Sequence, residues 1–290
     1  MLHEMYTITG ERIPPLLAEL PDAPKRLFVR GELPQDEKLR YLTVVGARRH
    51  SAYGREVCET LIAGLAGYPV VIVSGLALGI DGIAHRAALA SGLTTIAFPG
   101  SGLSEQVLYP STHRALAREI LSQGGALMSE FDPDFRPTAW SFHQRNRIMA
   151  GISHATLAIE AEERSGTLIT AKLALEYNRD VFAVPGPIFS PTAGGPNLLL
   201  RLGATPIRHS RDILEALGLS AAPGAAEKYT DTSNCSAHEL RILEILKTPI
   251  ERDELIRALG TSVSETNTLI AALELKGLVV EKLGALYRVK

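Results

Sequence analysis

The sequence predicts an α/β protein: a doubly wound, mostly parallel sheet followed by a small helical module that ends in a β hairpin. Three observations carry this expectation. From Tyr41 to about Leu217, short β-branched or apolar runs alternate with longer stretches of helical period, and strands separated by helices form parallel sheets covered on both faces. The runs are almost continuously apolar rather than alternating, as burial on both sides requires. After residue 235 the alternation stops, and three segments of helical apolar spacing lead into a hairpin.

Taken in order, residues 1–40 hold Pro14, Pro15, Pro21, Pro24 and Pro34, which prohibit long helices, so this stretch reads as an irregular lead-in packed on the main domain. Residues 41–219 read as an extended Rossmann-like domain with strands at 42–45, 70–73, 94–98, 126–128, 156–159 and 181–184 and a last helix at 212–217. Residues 220–235, rich in Ala, Pro, Gly, Ser and Thr without apolar period, read as a linker. Residues 236–290 read as a winged-helix module, with helices at 237–247, 252–259 and 264–276, a stop at Gly277 and two short strands around Gly284.

Composition narrows the function. A net charge of -2 argues against a general polyanion binder, which advertises a basic excess over its whole domain; any nucleic-acid site must be local. Two runs qualify. Lys38, Arg40, Arg48, Arg49 and Arg55 fall in a stretch without a carboxylate, and so do Arg136, Arg145 and Arg147 between Phe135 and Ile159. Two cysteines, Cys58 and Cys235, are too few for a disulfide framework or a thiolate metal site. The apolar run 70–80 is interrupted by Ser74, Gly75 and Gly79 and is too short to span a bilayer. The first ten residues lack a secretory pattern, so a cytoplasmic location and no membrane partner are expected.

The residues that bear chemistry gather at the predicted strand-to-helix turns, the edge where doubly wound sheets bind ligands. Gly46 and Arg48 follow the first strand: glycine lets the backbone approach a phosphate, and arginine adds an ion pair. Ser74, Gly75, Leu76, Ala77 and Gly79 follow the second, a turn offering consecutive N–H donors. The full dinucleotide glycine pattern is absent, as is the acidic residue a ribose would need. Asp81 and His85, four apart on a helix, have a spacing that suits acid–base work, but read more simply as a structural contact that fixes this loop. Phe142, Arg145, Asn146 and Arg147 place a ring and two guanidinium groups beside an amide, a combination suited to phosphate pairing, base stacking and base-edge hydrogen bonds. Ser165, Gly166 and Thr167 open a helix and serve equally as a plain cap or an anion cradle. No zinc, serine-hydrolase or Walker motif occurs. Glu160, Glu162, Glu163 and Glu176 read as solvated helix ends. No catalytic residue, metal or cofactor is expected.

These motifs resemble the DNA-processing protein A (DprA/Smf) family. The resemblance runs from about residue 24 to 217 through Gly46-x-Arg48, Ser74-Gly75-Leu76-Ala77-x-Gly79-Ile80-Asp81-x-x-Ala84-His85, Gly100-x-Gly102-Leu103, Tyr109-Pro110, Phe142-x-x-Arg145-Asn146-Arg147, Ser165-Gly166-Thr167 and Val184-Pro185-Gly186. It implies a non-enzymatic homodimer that binds single-stranded DNA, protects incoming DNA and helps load the RecA recombinase in natural transformation. It implies that Arg48 meets the phosphate backbone while the loops at 74–77, 145–147 and 165–167 line the nucleotide pocket. Many relatives carry a lysine where Leu78 stands, and Arg49 is the basic residue placed to compensate.

The C-terminal module carries eight basic and eight acidic side chains over 236–290, and its third helix holds Glu265 and Glu274 with only Lys276 beside them. Groove-reading helices are basic near their N-termini, so a protein-interaction role is expected here instead. Self-association is expected near the segment from Asn197 through Leu198, Leu199, Leu200 and Leu202 to Ala204, which holds more apolar surface than one helix face buries; core packing of the same helix is the alternative. The competing functional reading is a nucleotide-hydrolysing enzyme of a related Rossmann-like fold, using Ser165, Gly166, Thr167 and Glu176.

Overall fold

The computed structural model describes residues 4–219 except 35, and residues 235–288 except 247, 249, 277 and 283. The expected linker, apart from Cys235, and the Gly277 stop lie outside the described residues. The chain divides into two compact units, 1–221 and 222–290.

The first unit begins with β1 (Met5–Thr9), α1 (Pro15–Ala18) and β2 (Arg26–Gly31). Seven further strands follow, with helices between them: β3 (Arg40–Val45), α2 (Ala52–Ala63), β4 (Val70–Ser74), α3 (Ile80–Ala90), β5 (Thr95–Ala97), α4 (Arg114–Ser122), β6 (Ala126–Ser129), α5 (Ala139–Ile152), β7 (Ala155–Ala158), α6 (Gly166–Glu176), β8 (Asp180–Ala183), α7 (Gly194–Arg201), β9 (Thr205–Pro206) and α8 (Ser210–Ala216). The sheet order is β1-β2-β6-β5-β4-β3-β7-β8-β9. Neighbours from β6 to β9 are parallel, whereas β2 joins β6 and β1 joins β2 antiparallel. The chain advances from β3 to β6 in one direction and from β7 to β9 in the other, so the order reverses between β3 and β7 and opens a crevice at their C-terminal ends.

The expected irregular lead-in is corrected by β1 and β2. Leu27 and Val29 are fully buried in a core shared with Met128 and Ile148, while Arg26 stays exposed and Arg30 only partly buried. Leu27 and Val29 take one face of the strand and Phe28 the other, against Leu103 and Leu127, and prolines outside a strand do not break it.

Period-two alternation also sorts the central strands onto two cores. Leu42, Val44, Val70 and Ile72 face α2, α3 and α8 through Leu61, Ile62, Ile83 and Ile213. Val45, Val71 and Val73 face α1 and α5 through Leu17, Ile148, Met149 and Ile152. Helix starts follow local chemistry: the Ser51 hydroxyl accepts the Gly54 N–H at α2, and Thr138 and Ser141 form a capping box at α5.

The second unit holds α9 (Ala237–Ile245), β10 (Ile250–Glu251), α10 (Arg252–Leu259), α11 (Val263–Leu275), β11 (Val279–Lys282) and β12 (Ala285–Arg288). Its sheet runs β10-β12-β11, over a core of Ile242, Leu243, Leu255, Ile270, Leu273 and Leu286. This is the winged-helix arrangement. Ser236 and Glu239 cap α9, and Glu239 also pairs with Lys276 at 2.7 Å.

Candidate functional site

The turn after β3 and the loop after β4 meet back to back at the C-terminal edge of the sheet, on the β4 side of β3. Gly46 has no room for a Cβ because Ile80, the first residue of α3, lies against it; its glycine serves helix packing. Gly79 has φ +81° and ψ -132°, and a Cβ there would strike the Ala47 carbonyl and the Arg48 backbone. This contact holds Arg48 at the rim. The Arg48 guanidinium is exposed and lies 5.4 Å from the centroid of the Phe142 ring. Phe142 occupies the space over Gly100 and tilts against Tyr109, 5.8 Å away. Arg48, Gly75, Ala77, Leu78, Tyr109, Pro110 and Phe142 line one cleft, and the Tyr109-Pro110 peptide bond is cis.

Behind the cleft, residues expected to touch ligand are turned inward. The Ser74 hydroxyl donates to the Val44 carbonyl at 2.7 Å. Leu76 is buried in a core with Leu103, Leu108 and Leu116, although its φ of +56° is costly for a branched residue. Its carbonyl accepts from His113 Nδ1 at 2.8 Å. The Ala77 N–H points at Asp81 Oδ2, 3.4 Å away, so the donors of this loop serve the protein's own carboxylate. Burial pushes the Asp81 carboxyl up, while the Arg145 charge and the Ala77 and Gly75 N–H groups pull it back. The expected Asp81–His85 contact does not form: His85 Nδ1 donates to Thr95 Oγ1 at 2.7 Å, and that hydroxyl donates onward to the Ile72 carbonyl.

Helix α5 supplies the remaining side chains; the segment from Phe142 is helical rather than a loop. Arg145 is 7% exposed. Its Nη1 donates to the Gly75 and Phe98 carbonyls and its Nε to Asn146 Oδ1 at 3.0 Å. Asn146 Nδ2 reaches the Gly166 carbonyl at 3.5 Å. The three segments 74–77, 142–147 and 165–167 therefore do converge, joined by polar links that run from buried Gly75 through Arg145 and Asn146 to the exposed Gly166. Arg147 is also withdrawn, because its Nη2 meets both Glu130 carboxylate oxygens at 2.5 Å and its Nη1 donates to the Asp22 carbonyl. The carboxylate-free run around these arginines is real in sequence, but distant acids fill it in space.

At the start of α6, the Ser165 hydroxyl makes no cap bond, and its buried oxygen has no partner among the described residues. Gly166 is exposed and Thr167 is buried. Glu176 stands at the other end of this helix, about 15 Å along its axis, so the hydrolase pattern is not assembled around Ser165. Glu160 is buried rather than a solvated helix end: it accepts from Ser51 N at 2.8 Å, Ser51 Oγ at 2.6 Å and Thr192 Oγ1 at 2.8 Å. Tyr109 and Pro110, a motif present in the sequence but not among the expected site residues, also line the cleft. The basic run 38–55 is also divided, since Lys38 and Arg40 lie at the opposite end of β3 from Arg48 and Arg49. Among the described residues no cluster of His, Cys, Asp and Glu is arranged to hold a metal, and no helix is long and apolar enough to cross a membrane.

A family profile described as DNA recombination-mediator protein A matches residues 4–218, and a DprA winged helix domain profile matches residues 221–284. The chain belongs to the DprA family. It is 41% identical to Protein Smf of Escherichia coli K12, over 99% of this chain and 78% of that protein. It is 40% identical to the DNA processing protein DprA of Bacillus subtilis 168, over 72% of this chain and 70% of that protein. Among solved structures, DprA of Streptococcus pneumoniae superposes with a TM-score of 0.67 at 38% identity, covering 73% of this chain and 74% of that one. DprA of Helicobacter pylori, whose structure concerns its single-stranded DNA binding mode, superposes at 0.64 with 31% identity, covering 77% of this chain and 100% of that one. The chain thus combines the Rossmann-like sheet of its family with a winged-helix module, and the cleft lies on the sheet edge where such folds bind ligands.

Proposed function

We propose that this protein binds single-stranded DNA non-catalytically at the C-terminal edge of its sheet. The observation that carries the reading is Arg48: an exposed guanidinium with no ion pair among the described residues, set over an aromatic ring in a cleft. Arg48 neutralises a backbone phosphate, Arg49 beside it supplies a second charge, and Phe142 and Tyr109 offer ring faces to a base. Leu78, exposed on the cleft rim, adds apolar contact. Arg145, Asn146 and the 74–77 loop hold this geometry from behind. Affinity resting on phosphate pairing falls as salt rises. In a salt series on oligo-dT, Arg48→Ala should weaken binding and reduce the slope of log K against log salt by about 0.7, one phosphate contact on a single strand. Unchanged affinity and slope in this variant refute the site.

The family's description as a recombination mediator supports the finer reading, in which the bound strand is protected and handed to the RecA recombinase. RecA filament formation on single-stranded DNA should be stimulated by the wild-type protein and not by Arg48→Ala. Self-association is proposed through the outer face of α7, beside edge strand β9. There Leu199 is taken into the core with Ala171, Ala174 and Val181, but Leu202 remains 66% exposed. Light scattering should show a dimer, and Leu202→Asp should shift it to monomer. The winged-helix module, whose α11 carries no basic residue, is proposed to contact protein rather than duplex DNA.

A further inference from the structure

A second aromatic group stands on the same sheet edge, outside the cleft. Trp140, the only tryptophan of the chain, sits in the first turn of α5 and is 58% exposed. Phe131 meets it edge-on with ring centroids 5.9 Å apart, and Phe131 is itself stacked on Phe135 at 4.5 Å. Both phenylalanines come from the segment after β6, and the loop from Gly100 to Ser104 ties that segment to the cleft. The Gly102 N–H donates to the Phe135 carbonyl and the Ser104 N–H to the Pro133 carbonyl, each at 2.9 Å. At the near end of this loop, Phe142 covers Gly100, and the Ser141 hydroxyl donates to the Gly100 carbonyl at 2.6 Å. The two aromatic groups therefore flank a loop whose anchoring residues, Gly100 and Gly102, are about 7 Å apart at most. Of the charges here, Asp132 is paired with Arg26 at 2.8 Å. Arg136 and Asp134 are exposed, and Arg136 has no ion pair among the described residues.

We propose that Trp140, braced by Phe131 and Phe135, is a second base-stacking platform for the strand leaving the Arg48–Phe142 cleft, with Arg136 beside the connecting phosphate. The inference rests on the single-stranded DNA reading above. The ligand is a nucleobase of any type, because every base presents a π face, and a rigid ring already held by protein contacts loses little freedom when a base covers it.

The chain's single tryptophan makes the test direct. Intrinsic fluorescence of the full-length protein is titrated with oligo-dT, alongside the anisotropy of a labelled copy of the same oligonucleotide. Quenching that saturates together with anisotropy supports the platform. Trp140→Ala should then bind at least about 5-fold more weakly, the lower end for one base stack, with an unchanged salt slope, and Trp140→Phe should recover most of the loss. A rise in anisotropy without quenching, or wild-type affinity in Trp140→Ala, overturns the platform and leaves the cleft standing. No rise in anisotropy overturns the binding reading and the platform with it.

Discussion

Replacing Asp81 by Asn tests whether the loop behind the cleft is positioned by a buried carboxylate. Asp81 is 6% exposed. It accepts from the Ala77 and Gly75 N–H groups and faces the Arg145 and Arg48 charges. Asn keeps the shape and one acceptor but removes the charge. Neutralising the acceptor costs about 1 kcal/mol, the difference between charged and neutral hydrogen bonds. Removing the partner of a buried charge costs about 3–5 kcal/mol when nothing else satisfies that charge, but Arg145 keeps the Gly75, Phe98 and Asn146 oxygens. The acceptor term is therefore what remains, about 1 kcal/mol, or a fall in Tm of about 2–4 °C for a domain of this size. Thermal melts read the stability, and oligo-dT titration reads the site. A positioning role predicts weaker DNA binding with an unchanged salt slope, because the loop and Arg48 lose their setting while the number of phosphate contacts stays the same. If Asp81 were only a negative charge near Arg48, its removal would tighten binding. Tighter binding, or an unshifted Tm, refutes the positioning role.

Other perturbations have expected outcomes of their own. Gly79→Ala places a Cβ against the Ala47 and Arg48 backbone at a φ of +81°, and should cost at least about 2 kcal/mol and weaken oligo-dT binding; wild-type affinity would show that Arg48 is not set by this contact. His85 is fully buried and its imidazole is pushed down to about 3, by burial first and then by the His113 and Arg86 charges. The unfolded chain takes up this proton near pH 6.5, so stability present above that pH is lost as pH falls toward 3, by about 2 kcal/mol between pH 6.5 and 5. Asp81 is pushed the other way, so its contribution has the opposite sign and is lost as pH rises above its unfolded value. Urea melts at the two pH values should show a smaller difference for His85→Gln than for wild type, and equal differences would exclude His85 as the source. Arg147→Met removes the contacts to Glu130 and Asp22 and should cost about 2 kcal/mol of stability while leaving the salt slope on oligo-dT untouched; a reduced slope would return Arg147 to the DNA surface.

Much of this molecule is legible in sequence, because the signals concerned are local. The strands from β3 to β8 appear as short apolar runs, and a βα turn necessarily lies at the C-terminal end of a parallel strand. Gly46, Arg48 and the loop from Ser74 to Gly79 are thereby assigned to one edge by the strand pattern alone. The strand at Arg26–Gly31 is not legible in sequence because Leu27, Phe28 and Val29 form only a three-residue apolar run among prolines, and its antiparallel partner, β6, lies a hundred residues away.

Which arginine faces water was decided only by the tertiary structure. Arg48, Arg145 and Arg147 look equivalent along the chain, each in a stretch free of carboxylates. Folding brings Asp81 into the field of Arg145 and Glu130 and Asp22 onto Arg147, and leaves Arg48 beside an aromatic ring. Charge neutralisation depends on distance in space, and the acids that accomplish it come from 17 and 125 residues away in the case of Arg147. The sequence by itself determined the fold class and the edge on which chemistry gathers; the packing of distant segments determined which of those side chains remains free to act.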